Sequence, residues 1–172
     1  MAYDTIELMP AVRFHLNQRR ATSSWPDVWA LLDDIKDPEI PAISLWELGV
    51  LQDLQVTEGN DRRTVTVFIT PTYSGCPAIG SMEEDICKRL TESGFATVSV
   101  ETRLTPAWTT DYLCHEARQK LRAYGIAPPG DPGCPQCGES RSELVSEFGS
   151  TACKSLRSCR SCGEIYEYFK PL

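Results

Sequence analysis

The sequence is poor in histidine and has no long apolar run. Its 172 residues include two histidines, His15 and His115, and no Glu-x-x-His pair. Di-iron carboxylate bundles are built from such pairs, so the chain is not predicted to be an oxygenase of that class. No segment reaches the roughly 18 apolar residues that cross a bilayer, and no Gly-x-Gly-x-x-Gly loop is present to hold a dinucleotide. A membrane-spanning protein and a nucleotide-dependent reductase are therefore disfavoured as well.

Positive charge is also scarce. The 17 lysines and arginines are outnumbered by 24 aspartates and glutamates, which gives a formal net charge of −7 and a pI near 4.9. A nucleic-acid-binding face needs an excess of basic residues to neutralise phosphates. The acidic excess runs through both halves of the chain, so no nucleic-acid partner is predicted.

The N-terminal segment lacks the features of a secretory signal. Asp4 and Glu7 come early, and no continuous apolar core follows them. We expect residues 1–22 to form a disordered lead-in and the protein to stay in the cytoplasm. Eight cysteines are many for this length. In a reducing compartment, clustered cysteines bind metal or carry out chemistry more often than they form disulfides.

Residues 23–127 are predicted to form a small α+β domain with a three-stranded sheet and the order α-β-β-α-β-α. Apolar residues at helical spacing and alternating valines in strands carry this prediction. We expect the third strand to direct Ala96, Val98 and Val100 inward. The predicted elements are a helix from Ser23 that ends before Asp37-Pro38, strands at 50–56, 64–70 and 96–104 with a turn at 58–61, and helices spanning Ile79–Leu90 and Thr110–Tyr124.

A proline- and glycine-rich linker at 128–133 separates this domain from a predicted β zinc ribbon at 134–172. The ribbon contains two Cys-x-x-Cys pairs, Cys134 with Cys137 and Cys159 with Cys162, and a glycine follows each pair. Two thiolates from each tight turn can reach one ion at about 2.3 Å, and this doubled spacing is typical of structural zinc. An iron-sulfur cluster is the alternative cofactor for four thiolates. Because the segment has few apolar residues, metal binding is expected to contribute to its folding free energy.

Two cysteines outside these pairs are candidates for chemistry. Cys76 follows a predicted strand and precedes a helix, where free backbone N–H groups and the helix dipole favour a thiolate. The alternative is a small buried cysteine that caps the helix. Cys153 stands beside Lys154, which is expected to lower its pKa, and it serves either as an additional functional thiol or as a packed core residue.

Three segments resemble known families. Asp37-Pro38-Glu39-Ile40-Pro41, with Trp46-Glu47-Leu48-Gly49, resembles the opening motif of the SufT-like iron-sulfur assembly factors. The segment from Thr70 to Pro77 is similar to that family's reactive-cysteine loop. The segments 148–154 and 168–170, together with the ribbon, resemble the PaaD family, the D components encoded with phenylacetyl-CoA epoxidase.

The resemblance implies a role in metallocofactor delivery. It implies that Cys76 contacts iron or an iron-sulfur cluster transiently. It also implies that Asp37, Glu39 and Thr72 belong to the same site, the two carboxylates acting either on loop structure or on the metal. The ribbon departs from the SufT-like pattern, because minimal members of that family lack it.

Three functions remain open at this stage. The first is a non-enzymatic factor that matures phenylacetyl-CoA 1,2-epoxidase in aromatic catabolism, with epoxidase components or iron-sulfur assembly proteins as partners and two Cys76 thiols shared in a homodimer. The second is a structural adapter subunit of that oxygenase. The third is a thiol-redox enzyme that uses Cys76 and Cys153.

Overall fold

The structure is a computed structural model that describes residues 10–59 and 62–172. None of its helices is long and apolar enough to cross a membrane. The elements in this part of the chain are α1 (Ala11–Ala21), α2 (Pro26–Leu32), α3 (Leu45–Leu48), β1 (Leu51–Gly59), β2 (Arg62–Ile69), α4 (Ile79–Glu92), β3 (Thr97–Thr102), the 3-10 helix η1 (Thr110–Tyr112), α5 (His115–Tyr124), β4 (Ile126–Ala127), β5 (Ser142–Ser146), β6 (Lys154–Cys159) and β7 (Ile165–Phe169).

The first sheet confirms the predicted α+β class. β2 lies in its centre, antiparallel to β1 and parallel to β3. Its inward residues Val65, Val67 and Ile69 pack in the core with the apolar stripe of α4. The predicted β1–β2 turn spans 58–61, and residues 60 and 61 lie outside the described part. Ala96 is exposed, so the prediction that it faces inward is wrong, because β3 begins only at Thr97.

The expected disordered lead-in at 1–22 is wrong for residues 11–21, which form the helix α1, and residues 1–9 lie outside the described part. Leu16 is buried in the main core. Arg13 is buried as well, and its Nη1 donates to the carbonyls of Trp46 (2.8 Å) and Tyr112 (3.0 Å). The helix is held by these long-range contacts, which replace the broad apolar stripe of an ordinary amphipathic helix.

The predicted last helix at 110–124 is divided in two. The 3-10 turn η1 ends at Tyr112, and α5 begins at His115 after an extended Cys114. The Sγ of Cys114 accepts a hydrogen bond from the N–H of Ala117 at 3.3 Å and so caps α5. The predicted helix at 110–124 includes Cys114 in its interior, whereas the structure places Cys114 at the N-cap of α5, where that helix begins.

The short helix α3 fixes the loop that precedes it. Ser44 and Glu47 form a reciprocal capping box at its N-terminus. Gly49 ends the helix with φ of 76°, and a Cβ added there would lie 2.5 Å from the Cβ of Tyr112. Only glycine fits this close approach in a left-handed conformation, which gives the Trp46-Glu47-Leu48-Gly49 motif a structural reason.

The ribbon packs against the larger domain through a second sheet. Its strand order is β4-β7-β6-β5, and β4, which directly follows α5, pairs in parallel with β7. Phe169 at the end of β7 is fully buried beside Trp108, with 5.9 Å between ring centroids. The linker is held in place as well, since Arg118 donates to the carbonyl of Pro129 at 2.7 Å. The ribbon and the larger domain therefore share one apolar core.

Candidate functional site

Two matching turns bring four cysteine thiols together at one end of the ribbon. In each turn the first cysteine donates its N–H to the carbonyl five residues later and accepts from the glycine four residues later. These distances are 2.9 and 2.8 Å in the first turn and 2.8 and 3.1 Å in the second. Gly138 and Gly163 have φ of 77° and 78°, a left-handed conformation that favours glycine.

The resulting arrangement fits a single metal ion. The four sulfurs of Cys134, Cys137, Cys159 and Cys162 all lie within 4.8 Å of one another. The Sγ–Sγ distance is 3.8 Å between Cys134 and Cys162 and 3.5 Å between Cys137 and Cys159. A tetrahedron with metal–sulfur bonds of 2.3 Å has edges of about 3.8 Å, so these thiols can coordinate one ion with little movement.

The electrostatics of the turns prepare one of the thiols for metal binding. Backbone N–H groups of Cys162 and Ser161 point at the sulfur of Cys159 and lower its pKa to about 6. A metal ligand must be a thiolate, so the N–H groups of this turn favour the form of the sulfur that binds an ion. The four cysteines are placed so that they can hold one metal ion.

Cys76 lies in the loop between β2 and α4, and it is less accessible than the sequence indicates. Its side chain is only 7% exposed and belongs to the main core. The N–H of Ala78 donates to its thiol, yet burial dominates and raises the pKa of Cys76 to about 11, with further increases from Glu39 and Asp37. The expected depressed pKa and free thiol are therefore wrong for this structure, because the core removes the water that would stabilise a thiolate.

Asp37 organises the loop between α2 and α3. Its Oδ1 accepts hydrogen bonds from the N–H groups of Glu39 and Ile40, both at 2.8 Å. The residue is 4% exposed, and burial raises the pKa of its carboxyl despite these two bonds. The resemblance implies that Asp37 acts either on loop structure or on the metal, and these contacts correspond to the first role.

The other predicted residues surround the same region. Glu39 is half-buried, and burial followed by the charge of Asp37 raises the pKa of its carboxyl. Thr72 lies in the Cys76 loop with intermediate exposure. Cys153 is buried, with its Sγ 3.0 Å from the Oγ1 of Thr151. Burial raises the pKa of Cys153 although Lys154 opposes it, so the expected net lowering is wrong.

These side chains share a neighbourhood and do not form a closed cage. The thiols of Cys76 and Cys153 each experience the charges of Asp37 and Glu39. Within residues 10–59 and 62–172, however, the four ribbon cysteines are the set of three or more ligand atoms that comes within 4.8 Å. The larger domain and the ribbon thus place two carboxylates and two thiols near one another without completing a metal site.

The sequence does not predict the part that two further residues play in this neighbourhood. Lys154 is 2% exposed and its Nζ lies 2.8 Å from a carboxylate oxygen of Glu167. Tyr73 packs against the core beside Cys76, and burial raises the pKa of its hydroxyl. Lys154 stands next to a candidate cysteine, but a buried lysine is rare enough that no local pattern predicts one.

Comparisons with known proteins agree with the two-part architecture. Residues 26–102 match the family model described as iron-sulfur cluster assembly protein, and residues 127–170 match the PaaD zinc beta ribbon domain. An Escherichia coli (strain K12) protein described as the D component of a "Putative 1,2-phenylacetyl-CoA epoxidase" is 43% identical over 167 residues, which cover 89% of this chain and 98% of that protein. The chain belongs to the PaaD family. The resemblance indicated by the motifs is thereby confirmed.

A solved structure supports the fold of this PaaD-family chain. A DUF59 domain of unknown function from Bacillus anthracis is similar with a TM-score of 0.51 and 22% identity, covering 63% of this chain and 95% of that domain. A Mycobacterium tuberculosis protein associated with Fe-S complex assembly and repair is 28% identical, covering 58% of this chain and 84% of that protein, with a TM-score of 0.37. The first of these likenesses shows that the larger domain has the DUF59 fold.

Proposed function

We propose that this protein is a metallocofactor maturation factor for phenylacetyl-CoA 1,2-epoxidase of phenylacetate degradation. It acts in the cytoplasm as an accessory protein and catalyses no step of the epoxidation. Its partners are epoxidase components, iron-sulfur assembly proteins, or both, and a homodimer that shares two Cys76 sites is part of the proposal. The cargo is an iron ion or an iron-sulfur cluster that contacts Cys76 transiently.

One observation carries the proposal: a single chain combines an iron-sulfur assembly domain with the PaaD ribbon. The first part is of a type linked to metal-cluster assembly, and the second, with the Escherichia coli relative, ties the chain to one oxygenase system. The charges of Asp37 and Glu39 also act on the thiol of Cys76. Thiolate and carboxylate ligands together suit an iron ion that is held and then released.

We also propose that the ribbon metal is a structural zinc. The sulfur separations correspond to the edges of one tetrahedron around a single ion. A cluster with several irons places further atoms between the thiolates and needs a wider cage. Purified protein is expected to be colourless with one zinc per chain, whereas a visible charge-transfer absorption that disappears in Cys137→Ser would identify an iron cluster there.

The maturation role is tested by replacing Cys76 in cells that produce the epoxidase. Cys76→Ala should lower the iron content of the purified oxygenase and its epoxidation activity by at least several-fold. Cys87→Ala is the matched control, because Cys87 is a half-buried cysteine on α4 outside the site. Unchanged iron content and activity in a stable Cys76→Ala protein would refute the proposal.

A structural adapter subunit is the second candidate, and the burial of Cys76 favours it. A thiol with its pKa raised to about 11 is protonated at neutral pH and is a poor ligand until a partner rearranges its surroundings. The ribbon also exposes large apolar side chains on and beside its strands, which are Leu144, Val145, Phe148 and Ile165. An adapter predicts that Cys76→Ala is silent and that Phe148→Ser abolishes co-purification with the oxygenase.

A further inference from the structure

Three of the four edges of the two sheets are protected against pairing with another strand. An unpaired edge strand offers free N–H and C=O groups to other chains, and proteins prevent this with bulges, short strands or a covering element. β1 has a register shift between Leu51 and Asp53, and Arg19 of α1 donates to the carbonyl of Gln52 at 3.1 Å. In the ribbon sheet, β5 also has a register shift, and β4 contains only two residues, both buried.

β3 forms the fourth edge and has none of these protections. Its six residues pair with β2 in one register without a shift. In the part of the chain that the structure describes, no strand or isolated bridge pairs with its other edge. Residues 101–107 are all exposed, and the large apolar side chain of Leu104 is 52% exposed. This edge is therefore open to the addition of a further strand.

The backbone of β3 presents its free groups at alternate residues. The N–H of Arg103 donates to the carbonyl of Ile69 at 2.8 Å, so this N–H points into the sheet. Because the direction of the backbone groups alternates along a strand, those of Val100, Thr102 and Leu104 point to the open edge. These three residues are the ones that can form hydrogen bonds with an added strand.

The sequence along this edge is complementary to itself about Thr102. In an antiparallel pair of two copies centred on this residue, Val100 lies opposite Leu104 of the second copy, and Glu101 lies opposite Arg103 of the second copy. Apolar pairs and pairs of opposite charge across two strands both stabilise a sheet. A pairing centred on Val100 would instead place hydroxyl side chains opposite both charges, so the charges favour the pairing centred on Thr102.

Both charged side chains are available for such a contact. Glu101 is exposed and has no ion pair within residues 10–59 and 62–172. The guanidinium carbon of Arg103 lies 3.5 Å from the ring centroid of Phe68, which is the register partner of Glu101 on β2. The ring holds the guanidinium at the surface of the sheet, so less side-chain freedom is lost when it binds a carboxylate.

We infer that two copies of this chain associate through β3 and form one continuous six-stranded sheet with a two-fold axis at Thr102. The partner is a second copy, because the edge is complementary to itself, as a two-fold interface requires. The inference gives the homodimer of the proposed function a specific interface and rests on β3 alone, so it does not depend on the cargo. The dissociation constant is expected to be on the order of 10 µM, because one pair of strands buries less area than a standard interface.

The test is sedimentation equilibrium of the full, metal-loaded chain over a range of concentrations. Wild type should show a monomer–dimer equilibrium. Glu101→Arg and Arg103→Glu each place like charges opposite one another and should weaken the dimer by at least about tenfold, whereas the double variant should restore it. Glu147→Arg is the matched control, because it makes the same charge change as Glu101→Arg at an exposed position of the ribbon and should leave the dimer unchanged.

A crosslink tests the position of the two-fold axis without altering the charges. The two Thr102 positions lie opposite each other at a Cα separation of about 5.5 Å, which a disulfide can span. Diamide takes up the two hydrogens of paired thiols, so Thr102→Cys should give a covalent dimer that peptide mapping assigns to position 102. Thr97→Cys should give none, because its two copies lie about 30 Å apart in this pairing.

Two results would overturn the inference. The first is a wild type that stays monomeric up to about 1 mM, and the second is a dimer that neither charge reversal weakens. A monomeric wild type whose co-purification with the oxygenase is lost on either reversal would show that the edge binds a strand of that protein, and would also overturn the inference. The Cys76→Ala experiment in cells judges the maturation role separately.

Discussion

At the scale of single residues, the chemistry of the site is carried by side chains that also build the fold. Asp37 satisfies two backbone N–H groups of its loop and is nearly inaccessible to water. A carboxylate in this position is stabilised by its hydrogen bonds and destabilised by its burial, and the raised pKa shows that burial prevails. The acceptor oxygen, more than the charge, is what the loop needs.

Replacing Asp37 separates these two properties. Asp37→Ala leaves two N–H groups without their acceptor and should lower the free energy of unfolding by about 2–4 kcal/mol. Asp37→Asn keeps an acceptor oxygen and should cost about 1 kcal/mol or less at pH 7. Because the folded-state pKa of Asp37 is raised, wild type should gain stability relative to Asp37→Asn as the pH falls from neutral through that pKa. Urea unfolding across this pH range measures both effects, and equal losses in the two variants would contradict them.

At the scale of elements, the pattern of apolar residues predicts those parts of the chain that bury a single continuous stripe. Met82, Ile86 and Leu90 follow helical spacing, and α4 lies where they indicate it. The same pattern misses α1, because the main buried contact of that helix is an arginine that bonds carbonyls 33 and 99 residues away. Such a contact exists only after the fold has formed, so no local pattern could reveal it.

The position of the candidate thiols is hidden from the sequence for the same reason. The spacing of Cys134, Cys137, Cys159 and Cys162 predicts a shared metal because all four lie in two local turns of one hairpin unit. Cys76 and Cys153 belong to the same apolar core although they lie far apart in sequence. Local spacing predicts the four-cysteine site of the ribbon, whereas only tertiary packing determines which groups surround Cys76 and Cys153.

Arg13 provides a direct test of how α1 is held. Its guanidinium is buried, donates two hydrogen bonds, and lies 4.5 Å from the ring centroid of Trp46. Arg13→Ala should therefore lower the free energy of unfolding by about 2–4 kcal/mol, since two carbonyls lose their donor. Arg19 on the same helix is the control, because its side chain is about half exposed and makes a single hydrogen bond, to the carbonyl of Gln52 at 3.1 Å, beside a long ion pair of 3.8 Å with Asp53. Arg19→Ala should cost about 1 kcal/mol or less in the same denaturant titration, and similar losses in both variants would contradict a specific role for Arg13.

At the scale of the whole molecule, the ribbon is part of the protein's main core. Phe169 and Cys153 come from the ribbon and pack with residues of the larger domain. β4 extends α5 directly into the ribbon sheet, and Thr110 donates its N–H to the carbonyl of Leu172 at 3.2 Å. The apolar cluster that belongs to the ribbon alone is small, containing two of the metal-site cysteines and the residues Ala127, Tyr166 and Tyr168. The ribbon therefore has little apolar core of its own between the four-cysteine site on one side and the larger domain on the other.

This arrangement predicts that metal removal destabilises the entire chain in one step. All four tryptophans, at positions 25, 29, 46 and 108, lie in the larger domain, so their fluorescence reports on that domain and, through the contact of Trp108 with Phe169, on its boundary with the ribbon. Release of metal to a chromogenic chelator reports on the ribbon. On heating, the two signals should change at the same temperature. Unfolding of the ribbon withdraws Phe169 from the main core and exposes the residues that pack against it. Phe169→Ala removes the largest shared side chain and should separate the two transitions, with metal released first. Metal release from wild type without a change in tryptophan fluorescence would show instead that the two parts unfold independently.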